Sequence, residues 1–388
     1  MSLPHRIRRS RLSAAAAAAA SLALLAACSS ATESTTAEEG DGAPGEGTTA
    51  VGFIMVGPKD DFGYNQAVYE GSQVIAEEFP DLEVLTAENV PEDDTAATTM
   101  QQMIDKGAKL IFATSYGHLD AALKVAEENP DVVVVQQGNT ITEDIPENSG
   151  TYFGTVYEPM YLAGIAAGAS TKSDKLGYVY AFPIPQTIAN INAFERGAQS
   201  VNPDAETITV STSSWCDPGK QQAAADSLLS QGVDVLTQHQ DCTATVIQAA
   251  EKAGAMTVGY HADASSLAPE GWLTGAVWDW GPLYTDIVQT VVDGDFVGSE
   301  YNDNFRVGYK TGTNPFVLAP YGPLVSEETM SEITAAQEFL GTEDGSPFVG
   351  PVYDQDGTLA IEEGVVPTYA ENDAMDFFVQ GVVGDLAQ

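Results

Sequence analysis

The feature that most limits the fold is an alternation of short apolar runs with segments of helical spacing. Residues 51–56 and the four successive valines at 132–135 are typical of strands buried on both faces, as in a parallel sheet. Residues 65–78, between them, place apolar side chains at helical intervals. Repeated β–α units of this kind predict an α/β layer fold with right-handed crossovers.

The alternation runs twice, and it restarts after residues 152–156. The folded part begins near Val51 and is too long for one small core, which favours two lobes. Two successive arrays of similar size predict two doubly wound α/β lobes with a ligand cleft between them. Residues 273–280 are expected to cross back to the first lobe, whereas residues 347–388 are poorly periodic and are not placed.

These patterns divide the chain into five parts. The expected parts are a lipoprotein signal peptide at 1–27, an acylated cysteine with a disordered tether at 28–49, a first lobe at 50–154 plus about 273–325, a second lobe at 155–272 plus part of the C-terminal region, and a C-terminal helix and irregular tail at 326–388.

Cys28 ends a short apolar segment that follows four arginines between residues 6 and 11. A basic region, an apolar region too short to span a bilayer and small residues before a cleavage point are typical of a signal peptide. The sequence Leu-Ala-Ala-Cys resembles a bacterial lipobox, in which the cysteine thiol is acylated. The sequence therefore predicts a protein lipid-anchored at Cys28 on the extracytoplasmic face of the bacterial cell membrane. The alternative is an ordinary secretion signal with a chance cysteine.

Residues 29–49 consist mainly of Ser, Thr, Glu, Gly and Ala and contain no aromatic residue. Such a segment cannot bury enough apolar surface to fold, so we expect it to be disordered. A flexible chain of this length spans roughly 25 Å.

The charge balance excludes several partners. The chain has 15 basic and 56 acidic residues, and removal of the four arginines of the leader lowers its formal net charge from −41 to −45. Nucleic acid and anionic headgroups would be repelled, so neither is expected as a ligand. Solubility is the simplest explanation of the acidity.

Two further cysteines, Cys216 and Cys242, each follow a predicted strand by a few residues. Both should lie at the same edge of one sheet, and an extracytoplasmic location permits a disulfide between them. The alternative is a pair of buried thiols. Metal binding is not expected, because His239 is the one histidine close in sequence and no CxxC motif occurs.

Polar and aromatic side chains follow the predicted strands, where open α/β sheets bind ligands. The candidates for ligand contact are Asp61, Phe62, Tyr64, Asn65, Tyr116, Trp215, Asp241, His261, Asp263 and Trp278. Rings can stack a flat heterocycle, while Asp and Asn can bind ring N–H and amino groups. Lys and Arg are nearly absent from these loops, which disfavours a phosphate or dicarboxylate. Of Trp278 and Trp280, we expect one to face the cleft and the other the core.

The segment Asp61-Phe62-Gly63-Tyr64-Asn65-Gln66, followed by Tyr-Glu-Gly at 69–71, resembles the opening motif of the basic membrane protein (BMP, PnrA-like) family. Further similar segments are residues 158–164, 215–220, 231–235, 249–251 and 259–263, so the resemblance covers about 51–339 in the expected order. It implies a type I periplasmic-binding-protein fold and delivery of purine nucleosides or related ligands to an ABC permease. Asp61 and Asn65 would correspond to ligand contacts of the first lobe.

The chain also departs from the family pattern. Many nucleoside-binding members have an acidic residue in place of His261 and a lysine near Trp278. Residues 238–241, 278–282 and 350–357 are more similar to a branch associated with purine bases. The resemblance therefore implies a purine nucleoside or nucleobase as the ligand.

Other functions are compatible with the same residues. An exported nucleosidase could use Asp241 and Asp263 as acid and base, but ligand binding is the more ordinary role for such carboxylates, and G-x-S-x-G and H-E-x-x-H are absent from the sequence. A ligand-sensing lipoprotein of the same fold is a further alternative, because fold does not fix function. We expect a monomer without enzymatic activity and without a cofactor.

Overall fold

The computed structural model describes residues 42–386. The predicted signal peptide, Cys28 and the predicted tether up to residue 41 lie outside these residues. Within the described range, no helix has both the length and the apolar character needed to span a membrane.

Residues 42–49 form turns that lie against the first lobe, so the prediction of disorder up to residue 49 is wrong for this part. The backbone N–H of Gly45 donates to the carbonyl of Asp131 at 2.9 Å. Lys109 donates from its backbone N–H to Thr48 Oγ1 and from Nζ to the carbonyl of Glu46. Hydrogen bonds to a folded neighbour hold this segment, which has few apolar side chains of its own.

Two mostly parallel sheets form the centres of the two lobes. The strands are β1 Ala50–Ile54, β2 Glu83–Ala87, β3 Ala108–Ala113, β4 Val133–Gln137, β5 Ser149–Gly154, β6 Lys175–Tyr180, β7 Glu206–Ser211, β8 Val235–His239, β9 Met256–His261, β10 Trp272–Trp278, β11 Asn304–Val307, β12 Phe316–Leu318, β13 Val352–Tyr353, β14 Leu359–Ile361 and β15 Val382–Val383. The first sheet has the order β11-β5-β4-β3-β1-β2, and the second has the order β12-β10-β9-β8-β6-β7-β15. The predicted α/β class with two lobes is confirmed.

Helices connect most of the successive parallel strands, and others join the two sheets or belong to the C-terminal region. They are α1 Tyr64–Glu78, α2 Asp94–Ile104, α3 Leu119–Glu128, α4 Tyr157–Ser170, α5 Pro185–Val201, α6 Pro218–Ser230, α7 Ala244–Ala253, α8 Gly281–Val292, α9 Glu327–Leu340 and α10 Tyr369–Asn372. Helices α4 and α5 pack backbone to backbone, since a Cβ on Gly164 would lie 2.1 Å from the carbonyl oxygen of Phe194. This packing fixes α5, whose N-terminal end reaches the cleft.

The crossing from the second lobe to the first occurs later than the sequence predicts. β10 pairs in parallel with β9 and belongs to the second sheet, so the expectation that residues 273–278 cross to the first lobe is wrong. The chain crosses after Trp278, because Trp280 and Tyr284 at the start of α8 lie against Gly71 of α1. It returns between β11 of the first sheet and β12 of the second.

The C-terminal region, which the sequence did not place, packs largely on the second lobe. β13 and β14 form a hairpin, and β15 adds a strand in parallel beside β7. Asn192 of α5 accepts from the backbone N–H of Val379 and donates to the carbonyl of Phe377. Strand pairing and hydrogen bonds from the Asn192 side chain to the backbone thus order a segment that has no amphipathic pattern.

Candidate functional site

The carboxyl ends of strands from both sheets meet at a cavity between the lobes, the usual ligand position in α/β sheets. The cavity is narrow and partly open to solvent, and about 30 Å³ of it is accessible to the centre of a water-sized sphere. Its lining consists of Tyr64, Ser115, Tyr116, Gly138, Phe153, Ile184, Gln186, Trp215, His239, Asp241, Tyr260 and His261. The lining is aromatic and polar, and the described residues contribute no lysine or arginine to it.

Five of the predicted contact residues line this cavity: Tyr64, Tyr116, Trp215, Asp241 and His261. Each follows or ends a strand, or begins the helix after one. They come from both lobes, because parallel strands present their carboxyl ends to the same cleft.

Asp61 and Asn65 are absent from the lining, because they bind each other and the start of α1. The carboxylate of Asp61 accepts hydrogen bonds from the backbone N–H groups of Gly63, Asn65 and Gln66 and from Asn65 Nδ2. The Asn65 amide oxygen accepts from the N–H of Gly57. These bonds satisfy orphan N–H groups of the first helical turn, so the geometry gives this pair a helix-capping role.

The other three candidates also lie away from the lining. Phe62 is 41% exposed, at a positive φ of 56°. Asp263 is exposed and accepts from the backbone N–H of Ser265. Trp278 is buried and stacks on Trp280, with ring centroids 4.2 Å apart. One of the two was expected to face the cleft, but neither lines the cavity.

Rings form the walls of the cavity. Trp215 is held edge-on by Phe182, with ring centroids 5.1 Å apart, and Phe153 packs against Trp278 at 4.8 Å. Tyr116 contributes a half-buried ring from the first lobe. Half-buried rings on opposite lobes can stack a planar ligand between them.

A buried polar network lies on the second-lobe side. Asn190 Nδ2 donates to Tyr260 Oη at 2.7 Å and lies 3.2 Å from His239 Nδ1, whereas Asn190 Oδ1 has no partner in the described part of the chain. Burial lowers the pKa of His239 to about 3, so this imidazole is neutral. The network therefore has hydrogen-bonding capacity that residues 42–386 do not use.

Asp241 has a free carboxyl group. Its backbone N–H donates to the carbonyl of Trp215 at 2.9 Å, but no hydrogen bond reaches its carboxyl oxygens from within residues 42–386. Burial raises the pKa of this carboxyl well above its usual range, and the negative charges of Asp61 and Glu92 add to the shift. A ligand N–H group could satisfy this carboxyl.

Cys216 and Cys242 form a disulfide with Cα atoms 5.3 Å apart. Cys216 follows Trp215 and Cys242 follows Asp241, so the disulfide joins the two loops that carry a ring and a carboxyl group into the cavity. Metal clusters are also lacking here: in the described ranges, no three His, Cys, Asp or Glu side chains are grouped to hold an ion.

Direct contacts join the lobes beside the cavity. The backbone N–H of Tyr64 donates to the carbonyl of Asp241 at 3.0 Å, and Thr243 Oγ1 donates to the carbonyl of Phe62 at 2.5 Å. A Cβ on Gly63 would lie 1.7 Å from the Asp241 carbonyl oxygen, so this approach requires glycine. On the other side of the cleft, Gln186 Nε2 donates to the carbonyl of Gly138.

Seven lining residues are not among the ten candidates: Ser115, Gly138, Phe153, Ile184, Gln186, His239 and Tyr260. Ser115, Gly138, His239 and Tyr260 lie at strand ends, so the signal that found their neighbours applied to them too. Gln186 lies at the start of α5, and no sequence pattern distinguishes it from an ordinary surface glutamine.

Comparisons with known proteins bear on the family and the fold of this chain. A family model named Bmp, described as ABC transporter substrate-binding protein PnrA-like, matches residues 48–335. A purine-binding protein of Brucella abortus is 35% identical over 351 residues, which cover 90% of this chain and 97% of that protein. A putative ABC transporter glucose-binding protein, TsgA13, of Haloferax volcanii is 32% identical over 346 residues, covering 89% of this chain and 83% of that protein.

A solved ABC transporter solute-binding protein from Conexibacter woesei has a TM-score of 0.61 at 22% identity, with 75% of this chain and 96% of that chain covered. This likeness supports the periplasmic-binding-protein-like fold predicted for the two lobes. The chain belongs to the Bmp family of PnrA-like ABC transporter substrate-binding proteins.

Proposed function

We propose that this substrate-binding protein binds a purine base or purine nucleoside in the cavity between its lobes and delivers it to an ABC permease. The observation that carries the proposal is a cavity with rings from both lobes and the free carboxyl group of Asp241. The purine-binding relative from Brucella abortus supports the ligand class.

The expected contacts follow from ordinary ligand chemistry. Tyr116 and Trp215 would stack on the two faces of the purine, and stacking contributes about 1–3 kcal/mol per base. Asp241 would accept from a ring N–H or amino group. Because residues 42–386 place no lysine or arginine in the lining, a nucleotide phosphate would find no cationic partner among them.

Binding would be coupled to separation and closure of the lobes. The Tyr64–Asp241 and Thr243–Phe62 hydrogen bonds form when the lobes meet, and the connections near residues 154–157, 278–281 and 307–316 would act as the hinge. The closed form would be the one that the permease recognises, and no chemical conversion of the ligand is required.

The proposal includes an anchor. Proteins of this substrate-binding family act outside the cytoplasm, and the lipobox-like sequence at Cys28 supports lipid attachment there. A Cys28→Ala variant should be released from the membrane fraction or remain unprocessed, with unchanged ligand affinity. Membrane retention with normal processing of this variant would contradict the anchor.

A sugar is the second candidate ligand, supported by the glucose-binding name of the Haloferax volcanii relative. A sugar ring also stacks on tryptophan, but its many hydroxyl groups need several polar partners. A purine needs fewer and presents two flat faces, which fits a cavity walled by rings.

A thermal-shift screen of the full-length protein with purine bases, nucleosides and glucose tests the proposal. A ligand at 100 times its Kd stabilises the folded state by about 2.7 kcal/mol, which is readily detected. Trp215→Ala should lower the affinity about 5- to 150-fold, since about 1–3 kcal/mol of stacking is lost. Tyr353→Ala, an exposed tyrosine in β13, is the matched control and should bind normally. A shift with glucose and none with any purine would overturn the proposed ligand.

A further inference from the structure

His261 occupies an unusual backbone position at the end of β9. Its φ is +70°, in the left-handed region that non-glycine residues rarely adopt, and its side chain is 2% exposed. Strain of this kind persists where the surrounding structure enforces it, and it is frequent at ligand sites. Here the conformation accompanies an imidazole that lines the cavity.

The indole of Trp278 identifies which nitrogen of this imidazole lacks a proton. Trp278 Nε1 lies 2.8 Å from His261 Nδ1, and an indole N–H can only donate. Nδ1 must therefore be the acceptor. In a neutral imidazole the proton then lies on Nε2, which has no partner within residues 42–386.

The charge state of His261 agrees with this assignment. Burial lowers the pKa of His261 well below its usual range, and the neighbouring His239 adds to the shift. The ring is thus neutral at physiological pH, with one donor and one acceptor nitrogen.

We propose that Trp278 is a positioning residue that fixes the tautomer of His261, so that His261 Nε2–H is a hydrogen-bond donor selecting ligands with an acceptor atom opposite it. This inference deepens the proposed function and rests on it for the ligand class. A purine has unprotonated ring nitrogens that can accept such a bond, and Asp241 would accept from a donor elsewhere on the same ligand.

Trp278 is well placed for this role, because packing holds its indole rigidly. It stacks on Trp280 and contacts Phe316, each with ring centroids 4.2 Å away. β10 also pairs with β9 so that Val277 lies opposite His261, and this register fixes the position of the next residue, Trp278, relative to His261. The tryptophan expected to touch the ligand acts instead through the histidine.

The neighbouring His239 shows why an indole matters. Its Nδ1 lies near the side-chain amide of Asn190, and an amide can turn to offer either a donor or an acceptor. An indole N–H, in contrast, can only donate a hydrogen bond. Of the two histidines, His261 is therefore the one whose tautomer is fixed by its partner.

Nitrogen NMR of full-length protein labelled with ¹⁵N-histidine tests the tautomer without any ligand, with the His261 signals assigned by their loss in His261→Gln. The wild type should show an unprotonated Nδ1 and a protonated Nε2. Trp278→Phe removes the N–H and should give a mixture of tautomers. Trp280→Phe is the matched control, because it removes an indole from the same aromatic cluster whose Nε1 has no partner in the described residues. A wild-type proton on Nδ1, or an unchanged tautomer in Trp278→Phe, would overturn the proposal.

Calorimetry with adenine and its 1-, 3- and 7-deaza analogues tests the consequence for selectivity, because each analogue lacks one ring acceptor. The wild type and Trp280→Phe should bind one analogue at least about tenfold more weakly than adenine, equivalent to one lost hydrogen bond. Trp278→Phe should reduce that ratio to below about threefold. Equal ratios in wild type and Trp278→Phe would contradict the selectivity claim. Failure of every purine to bind would overturn the proposed function, whereas the NMR spectra would still decide between the tautomers.

Discussion

The loops that follow β1 and β8 meet across the cleft and carry similar residues with opposite outcomes. In the first loop, the carboxylate of Asp61 accepts four hydrogen bonds from its own segment. In the second, no donor within the described residues reaches the carboxyl group of Asp241, which lines the cavity. Both carboxyl groups have a raised pKa because both are buried.

The difference distinguishes a carboxyl group that stabilises the fold from one that is free to bind a ligand. A carboxylate whose hydrogen bonds are all made inside the protein stabilises the fold and has little capacity left for a ligand. A buried carboxyl without a partner is costly until a ligand supplies a donor. The first-lobe loop thus builds the start of α1 and the lobe contact, whereas the proposed function assigns recognition of the ligand to the second-lobe loop.

The largest expected effect concerns how the second-lobe loop is held in place. Cys216→Ser combined with Cys242→Ser should lower the free energy of unfolding by about 3 kcal/mol, as loss of a cross-link of this loop length predicts. Ligand affinity should fall as well, since Trp215 and Asp241 adjoin the two cysteines. Urea unfolding and calorimetry measure both quantities, and unchanged values would mean that the disulfide does not hold this loop.

The next effect concerns contact between the two loops. Gly63→Ala places a methyl group 1.7 Å from the Asp241 carbonyl oxygen in the closed arrangement. Affinity should fall up to about 100-fold, because overpacking costs about 1–3 kcal/mol. Gly341→Ala, at the end of α9, is the control for calorimetry, because its Cβ would lie no closer than 3.5 Å to a neighbouring atom. Wild-type affinity in Gly63→Ala would show that closure of the lobes does not need the close contact between Gly63 and the Asp241 carbonyl oxygen.

An isosteric pair of substitutions tests the comparison directly. Asp61→Asn puts an NH₂ group opposite donors and should lower the free energy of unfolding by about 2 kcal/mol, with affinity changed less than about threefold. Asp241→Asn should lower affinity about tenfold or more without lowering the free energy of unfolding, because it removes a buried ionisable group. Chemical unfolding measures the stability of both variants, and calorimetry measures their ligand affinity. Lost affinity in Asp61→Asn together with lost stability in Asp241→Asn would contradict the roles assigned to the two loops.

A smaller effect is expected from pH. Because burial raises the pKa of Asp241, its carboxyl group takes up a proton at a higher pH than an exposed aspartate does. A ligand donor favours the ionised carboxylate, so ligand affinity should rise with pH. The slope cannot exceed about tenfold per pH unit for one proton. Calorimetry of wild type and Asp241→Asn across the neutral range should show the slope in the wild type alone. An equal slope in both proteins would assign it to another group.

Much of the cavity lining could be predicted, because its position follows from strand ends. Tyr64, Tyr116, Trp215, Asp241 and His261 were found since each lies where a predicted strand meets its loop, and parallel strands bring those points together. The same rule also selected Asp61 and Asn65. Residue type and position along the chain do not reveal that a carboxylate and an amide are already bound to their own helix.

The sequence alone determined the α/β class, the two lobes and the family, because apolar periodicity and strand-end motifs are local properties of the chain. Tertiary structure decided that β10 remains in the second sheet, that Trp278 binds His261, and that Asp241 keeps a free carboxyl group. These outcomes depend on which side chains meet across long sequence separations. A hydrogen bond is used or free only in relation to a neighbour that folding supplies.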